Sequence, residues 1–322
     1  MNPPPLLVSF STIEDFFEAL QPSLAQIYGS SFKELFSKGM PPLVSVRCLS
    51  LLFGFSAKFV GSLVYRSSRY YRLFTIPKGR NIRKIQAPKV ALKIIQKWFG
   101  HHLGLALPHE PYVFGFIKGK SAIDAALCHI GAKWVYSLDI EDFFPSISQK
   151  RIEQALIGLG YDFHGAEIAA YLCCYKGFLA QGSPASPVIS NLVFNSTDKE
   201  LAVLADALKI RYTRYADDMV FSGDQPCPSC LPEAVKKIIR EMGWKIAAKK
   251  ELLFKEPNRL KVHGLLVDGN TVRLTKGYRN KIRAFSHLLS SGMVSEEDKP
   301  RLAGHVSYGL FVQKRSQETT SD

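Results

Sequence analysis

The sequence predicts an α+β fold, and three observations predict it. Between Trp134 and Leu265 short apolar strands alternate with helical segments. They follow the order strand, helix, hairpin, helix, strand, which is that of a split β-α-β, RRM-like antiparallel sheet with helices on one face. The flanking stretches, residues 1 to about 130 and from about 270 onward, carry helical spacing instead.

Residues 1 to 130 are basic and mostly helical, apart from a hairpin formed by Tyr71 to Ile76 and Ile82 to Gln86, for which Lys78-Gly79-Arg80-Asn81 supplies the turn. Trp134 to Ile140 has the β-branched and aromatic content of a buried strand and ends in the acids Asp139, Glu141 and Asp142. Arg151 to Leu159 sets Ile152, Leu156 and Leu159 on one side of a helix. Ser186-Pro187 opens another, with proline at its first position. Ile210 to Ser222 reads as two strands around a tight turn containing Ala216-Asp217-Asp218. Pro232 to Met242 is an amphipathic helix that stops at Gly243. The segment from Asn270 is helical and basic, and Ser316 to Asp322 reads as a frayed terminus.

A chain of 322 residues, 46% hydrophobic and 22% charged, can bury a sizeable core and place two or three subdomains around one cleft. Cysteines 48, 128, 173, 174, 227 and 230 follow no framework spacing, which argues against a secreted disulfide scaffold. Cys227-Pro228-Ser229-Cys230 resembles half a zinc site, but without a second pair nearby it reads first as a turn. The N-terminus lacks the basic start and apolar run of a signal peptide, and Arg47 and Lys58 break the most apolar stretch. The expected location is the cytoplasm, with no membrane partner.

Charge supplies the first functional clue. The net charge is +14, and between Glu34 and Glu110 thirteen basic residues occur without one acid. Such a segment attracts polyanions, and the interleaved Tyr65, Tyr70, Tyr71 and Phe74 offer rings on which bases could stack.

Two acidic clusters interrupt apolar strands, Asp139 and, about eighty residues later, Asp217-Asp218. Unpaired carboxylates packed together raise one another's pKa, whereas two divalent cations about 3.5 to 4 Å apart would neutralise them. Magnesium favours such oxygen ligands, so the trio reads as a phosphoryl-transfer site. Taken alone, Asp-Asp reads first as turn chemistry.

The whole set of motifs changes that balance. Tyr215-Ala216-Asp217-Asp218 in an apolar hairpin resembles the signature of reverse transcriptases. Asp139 to Ile147 resembles the family's first palm motif, Gln181 to Pro187 the next, and Gly243-Trp244-Lys245-Ile246 with Lys249-Lys250 the fourth. Ile76-Pro77-Lys78, Arg83, Ile85, Pro88, Leu92-Lys93 and Gln96-Lys97-Trp98 are similar to its fingers segment. The likeness spans about residues 65 to 285, and its bacterial retron members fit best. Ala125 to His129 resembles the retron Asn-Ala-x-x-His element, with Ala125 in place of Asn. Val262-His263-Gly264 resembles the Val-Thr-Gly motif, with His263 in place of Thr. Ala247 and Glu251 also depart from the usual Asn and Thr, and His129 reads equally well as a core histidine on an apolar helix.

The resemblance implies a right-hand polymerase with fingers over 1–130, palm over 131–265 and a short helical thumb over 266–322, residues 150–180 folding back on the fingers. It implies an RNA-directed DNA polymerase with catalytic Asp139, Asp217 and Asp218, and two Mg2+ ions held by Asp139, Ile140, Asp217 and Asp218. Lys78, Arg83, Phe144, Gln181 and Lys250 would bind the nucleotide, Phe144 standing where a bulky ring selects dNTPs over rNTPs. Arg273, Lys276, Arg279, Lys281 and Arg283 would bind RNA. Implied partners are a cognate noncoding RNA serving as template and primer through a 2'-hydroxyl, a branched RNA–DNA product (msDNA), and an effector protein for antiviral defence. A reverse transcriptase of another bacterial class, an RNA-copying RNA polymerase and a non-catalytic basic RNA-binding protein are the alternatives.

Overall fold

The computed structural model describes residues 9–79 and 81–318, without the side chains of Lys78 and Asn81. Residues 319–322, the end of the expected frayed tail, lie outside the described residues. In chain order, helices α1 (Ile13–Ala19), α2 (Pro22–Ser37), α3 (Val46–Phe53) and α4 (Ala57–Tyr65) lead to strands β1 (Tyr71–Lys78) and β2 (Asn81–Pro88). Helices α5 (Val90–Ala106) and α6 (Ala122–Leu127), strand β3 (Trp134–Asp139), helices α7 (Gln149–Gly158) and α8 (Phe163–Cys173), and short strands β4 (Cys174–Tyr175) and β5 (Phe178–Leu179) follow. Then come α9 (Ser186–Ala207), β6 (Arg211–Tyr215), β7 (Asp218–Gly223), α10 (Leu231–Glu241) and β8 (Leu252–Lys255). Two-residue strands β9 (Lys261–Val262), β10 (Leu265–Leu266) and β11 (Arg273–Leu274) precede helices α11 (Lys276–Ser290) and α12 (Lys299–Glu318).

The chain forms two compact units, one comprising residues up to His109 with Asp142–Ser196, the other Glu110–Glu141 with Thr197 onward. In the first, Thr12, Ser45 and Ser56 cap α1, α3 and α4 by accepting a backbone amide three residues on. Strands β1 and β2 pair from Tyr71 opposite Pro88 to Lys78 opposite Asn81, one long hairpin as predicted. Gln96 on α5 donates to the Leu172 carbonyl at 2.6 Å and to the Tyr71 hydroxyl at 2.7 Å, tying α5 and β1 to α8. Of the four rings expected to offer stacking surfaces, Tyr71 is therefore core, and Tyr70 shares a 2.8 Å hydrogen bond with Ser62. Tyr65 and Phe74 remain exposed.

In the second unit β6, β7, β3 and β8 form one antiparallel sheet in that order. The connections through α9 and α10 give the predicted split β-α-β arrangement. Trp134, Tyr136 and Leu138 bury β3 at its centre, and Ile123, Val135, Val220, Leu260, Val267 and Val312 belong to one apolar cluster beside it. The regions expected as palm and thumb both fall largely in this unit. Arg273 lies in strand β11 and not in the helix expected there, because the helix begins only after its cap, Thr275. All six cysteines are free; Cys230 is the residue before α10, so the Cys-x-x-Cys segment is a turn into a helix. Among the described residues no single helix is long and apolar enough to cross a membrane.

Candidate active site

Strand register brings the acids together. Asp139 closes β3 directly opposite Asp218, which opens β7, and the Ile140 amide donates to the Asp217 carbonyl at 3.2 Å. Asp217 itself lies in the two-residue turn between Tyr215 and Asp218, with Ala216 at φ 58°. The side chain of Asp139 is 14% exposed, and Lys250 Nζ donates to its Oδ2 at 2.5 Å. Its Oδ1 is buried without a hydrogen-bond partner. Burial pushes the Asp139 carboxyl up to about 6, with Asp217 and Asp218 adding to the rise and Lys250 opposing it. A dehydrated, unpartnered carboxylate oxygen beside two further carboxylates suits a hard divalent cation. Among the described residues no three His, Cys, Asp or Glu side chains stand already converged on one ion position. Two of the acids are turned to basic partners instead: Asp139 to Lys250, and Asp218 to His263, whose Nδ1 lies 3.0 Å from Oδ2.

The segment that carries Lys250 is laced to the end of β3. The Ala247 amide donates to the Asp139 carbonyl at 2.8 Å, the Glu141 amide to the Lys245 carbonyl at 2.8 Å, and Ile140 bridges Ile246. Trp244 anchors it through a 2.9 Å bond from its indole to Thr197. Glu251, where the family places Thr, accepts from the Tyr136 hydroxyl at 2.8 Å.

Three further residues hold the turn, and sequence reasoning missed them. Arg214, wholly buried, forms a bidentate pair with Asp198 at 2.7 and 2.6 Å and donates through Nη1 to the Ala216 carbonyl at 2.9 Å. A Cβ at Gly115 would stand 2.1 Å from the Ala216 nitrogen, so only glycine lets that backbone approach. One signal was present: an arginine two residues before the turn in an otherwise apolar hairpin needs a buried acid. Nothing local marks Asp198 as that acid. His129 is the core histidine of its two readings, with ring nitrogens 2.7 Å from both Ser222 Oγ and Thr213 Oγ1, though it lies past the end of α6.

In the first unit the sequence-predicted Gln181 and Arg83 meet. The Gln181 backbone exchanges hydrogen bonds with Gln86, at 2.7 and 2.8 Å. Its side-chain amide, oriented to satisfy both ends, donates to the Lys84 carbonyl at 3.2 Å and accepts from Arg83 Nε at 3.3 Å. Gly182, at φ 136°, lets this loop close on β2, where a Cβ would stand 2.7 Å from the Gln86 carbonyl. Phe144, half-buried, rests against Phe143 with ring centroids 5.7 Å apart. The side chain of Lys78 lies outside the described residues.

The five basic residues assigned to RNA are all exposed, and three of them share one cleft. Arg273, paired with Asp268 at 2.8 Å, lines one cleft of about 550 Å³ together with Arg279 and Arg283; Lys281 lies across Phe285 at 5.2 Å. Lys276 opens α11.

Comparison with known proteins agrees with this geometry. The family described as reverse transcriptase (RNA-dependent DNA polymerase) matches residues 76–267. The Retron Ec86 reverse transcriptase of Escherichia coli is 30% identical over 287 residues, 86% of this chain and 88% of that protein. The Retron Ec73 reverse transcriptase of the same organism is 30% identical, covering 79% and 87%. The Retron Mx65 reverse transcriptase of Myxococcus xanthus is 32% identical over 78% of this chain, which spans 63% of that protein. A solved telomerase from Candida albicans is 11% identical and superposes with a TM-score of 0.48 over 82% of this chain and 60% of its own. The α+β class with its split β-α-β sheet is the one the sequence predicts. The chain belongs to the reverse transcriptase family, among its retron-type members, and is an RNA-directed DNA polymerase.

Proposed function

We propose that this polymerase copies a cognate structured noncoding RNA, starts from a 2'-hydroxyl of that RNA, and makes a branched RNA–DNA used in anti-phage defence with a separate effector protein. The retron relatives support this reading. The observation that carries its catalytic part is the buried, unpartnered Oδ1 of Asp139 opposite Asp218 in the sheet register.

Asp139, Asp217 and Asp218 would hold two Mg2+ ions, with the Ile140 position beside them. Such ions, when bound, would supply a lowered pKa at the attacking hydroxyl and charge to stabilise the departing pyrophosphate. The chain's own work is positioning. Lys78 and Arg83 grip the triphosphate, with Gln181 fixing the Arg83 guanidinium; Phe144 excludes a ribose 2'-hydroxyl. Lys250, paired with Asp139, carries the positive charge that the pyrophosphate meets on leaving. Arg273, Lys276, Arg279, Lys281 and Arg283 contact the RNA by backbone and shape. In this reading fingers, palm and thumb occupy 1–130, 131–265 and 266–322.

The test is to express the protein with its native upstream DNA and look for a short RNase-resistant single-stranded DNA, with Asp217→Asn plus Asp218→Asn as control. A discrete DNA joined to RNA by a 2'-linkage and lost in the variant is expected. Its absence, together with Mg2+-dependent dNTP incorporation on a generic primed RNA, would keep the polymerase and discard the cognate RNA.

A further inference from the structure

Away from the acids, the first unit contains a second cleft, of about 300 Å³, between the turn that follows α4 and the β4–β5 hairpin. Arg66, Arg69 and Lys176 line it, and no carboxylate does. Among the described residues none of these three cations has an ion-pair partner within 4 Å. Two acids act on residues of the cleft's lining, Glu167 on Tyr65 and Glu153 on Cys174, and both have other partners: Glu153 accepts the Gln149 amide at 2.8 Å, and Glu167 lies 3.7 Å from His164. Lys176 Nζ has the Tyr175 ring at 5.7 Å but no acid, and three cations without a counter-charge around one cleft repel one another, so the arrangement favours an anion between them.

The cleft is built and not merely basic. Lys176, at φ 51°, and Gly177, at φ 85°, form the two-residue turn of the β4–β5 hairpin, and the Lys176 amide donates to Ser68 Oγ at 3.3 Å. The hairpin turn is thereby tied to the arginine-bearing turn. Tyr65 stands at the same cleft with 54% of its surface exposed, its ring braced edge-on against Tyr171 at 5.9 Å and 68°. A free phosphate would need only the cations. A phenol ring fixed beside them adds a flat apolar face, which matches a base attached to that phosphate.

We propose that this cleft binds one nucleotide of a single-stranded segment, its phosphate held by Arg66, Arg69 and Lys176 and its base stacked on Tyr65. A paired base is stacked within its helix and cannot reach a ring inside a cleft, so the site discriminates single strand from duplex. It is separate from the polymerase site and adds a strand-holding function to the chain.

The test uses the full chain and fluorescence anisotropy with labelled single-stranded ten-nucleotide RNA and DNA, against a blunt RNA hairpin with the same number of phosphates. The variants are Tyr65→Leu, the pair Arg66→Gln with Arg69→Gln, and Lys176→Asn, which suits the left-handed backbone. Tyr65→Leu should weaken single-strand binding about tenfold at an unchanged salt slope. The arginine pair should weaken it and make the slope shallower by about 0.7, the share of the one phosphate they hold. Hairpin binding and extension of a short primed duplex should stay within about threefold of the parent, so failure here is distinguishable from failure of the polymerase reading. RNA and DNA probes separate template from product strand, and loss of either supports the site. Unchanged single-strand binding in Tyr65→Leu, equal weakening of single strand and hairpin, or competition by inorganic phosphate with no effect of Tyr65→Leu would overturn it.

Discussion

At the scale of the residue, the turn that presents Asp217 depends on charge buried far from solvent. Asp198 takes the Arg214 fork and the Tyr212 hydroxyl, and Arg214 in turn holds the Ala216 carbonyl. Removing one partner leaves the other charged and dehydrated, so Asp198→Asn should cost about 3 to 5 kcal/mol in chemical denaturation. Arg214→Lys keeps the charge but loses the fork, and should lower nucleotide incorporation at temperatures where the protein remains folded. His263 acts on a ligand more directly. Its side chain, 6% exposed, contacts Asp218 through Nδ1 and packs on Tyr215 with ring centroids 5.4 Å apart. His263→Ala should weaken Mn2+ binding, read by electron paramagnetic resonance, about tenfold, and His263→Gln should recover part of the loss; equal affinity in all three proteins would show that the contact does not orient Asp218. The acids themselves were legible because carboxylates in apolar strands have few purposes. The supports around them were not, since Asp198 reaches the turn only through Arg214, and His263 meets Asp218 only in the folded chain.

Elements were legible where local pattern decides them. The β1–β2 hairpin, β3, α10 and the β6–β7 turn stand where periodicity and turn chemistry put them, whereas residues 142–196 join the first unit through long-range contacts that no local pattern encodes. The short segment bridging β6 was equally invisible: Val113 pairs in parallel with Arg214 without belonging to a named strand. It delivers Gly115 against the turn, so Gly115→Ala must displace either segment, and should abolish incorporation more completely than it lowers stability. The same two strands are joined by His129, through Thr213 on β6 and Ser222 on β7. Burial, with His263 and Arg211 adding to it, holds this imidazole down at about 3. Its folded pKa lies below the ordinary value of about 6.5, so the unfolded chain binds the extra proton first. The stabilisation is complete above about pH 6.5 and is lost as pH falls toward 3. The denaturation midpoint should therefore drop on acidification through that window, and His129→Gln should flatten the drop.

At the scale of the whole molecule, charge distribution decides how the protein meets nucleic acid. Thirteen basic residues lie between Glu34 and Glu110, and among the described residues only Lys38 of these forms an ion pair, with Glu34 at 2.7 Å. Arg66 and Arg69, at the second cleft, stand apart; the rest whose side chains are described hold no acid that they must release, so binding a polyanion costs them little and releases counterions from its backbone instead. Affinity for primed RNA should then fall steeply with salt. If about six phosphates are contacted, the slope of log K against log salt should be about −4 or steeper. Anisotropy between about 50 and 200 mM salt measures it, and a slope shallower than about −2 would mean that the basic segment faces solvent and not the substrate. Neutralising the acids at Asp217 and Asp218 should leave this slope unchanged while abolishing incorporation, because the charge that gathers the nucleic acid and the carboxylates that act on it belong to different parts of the chain.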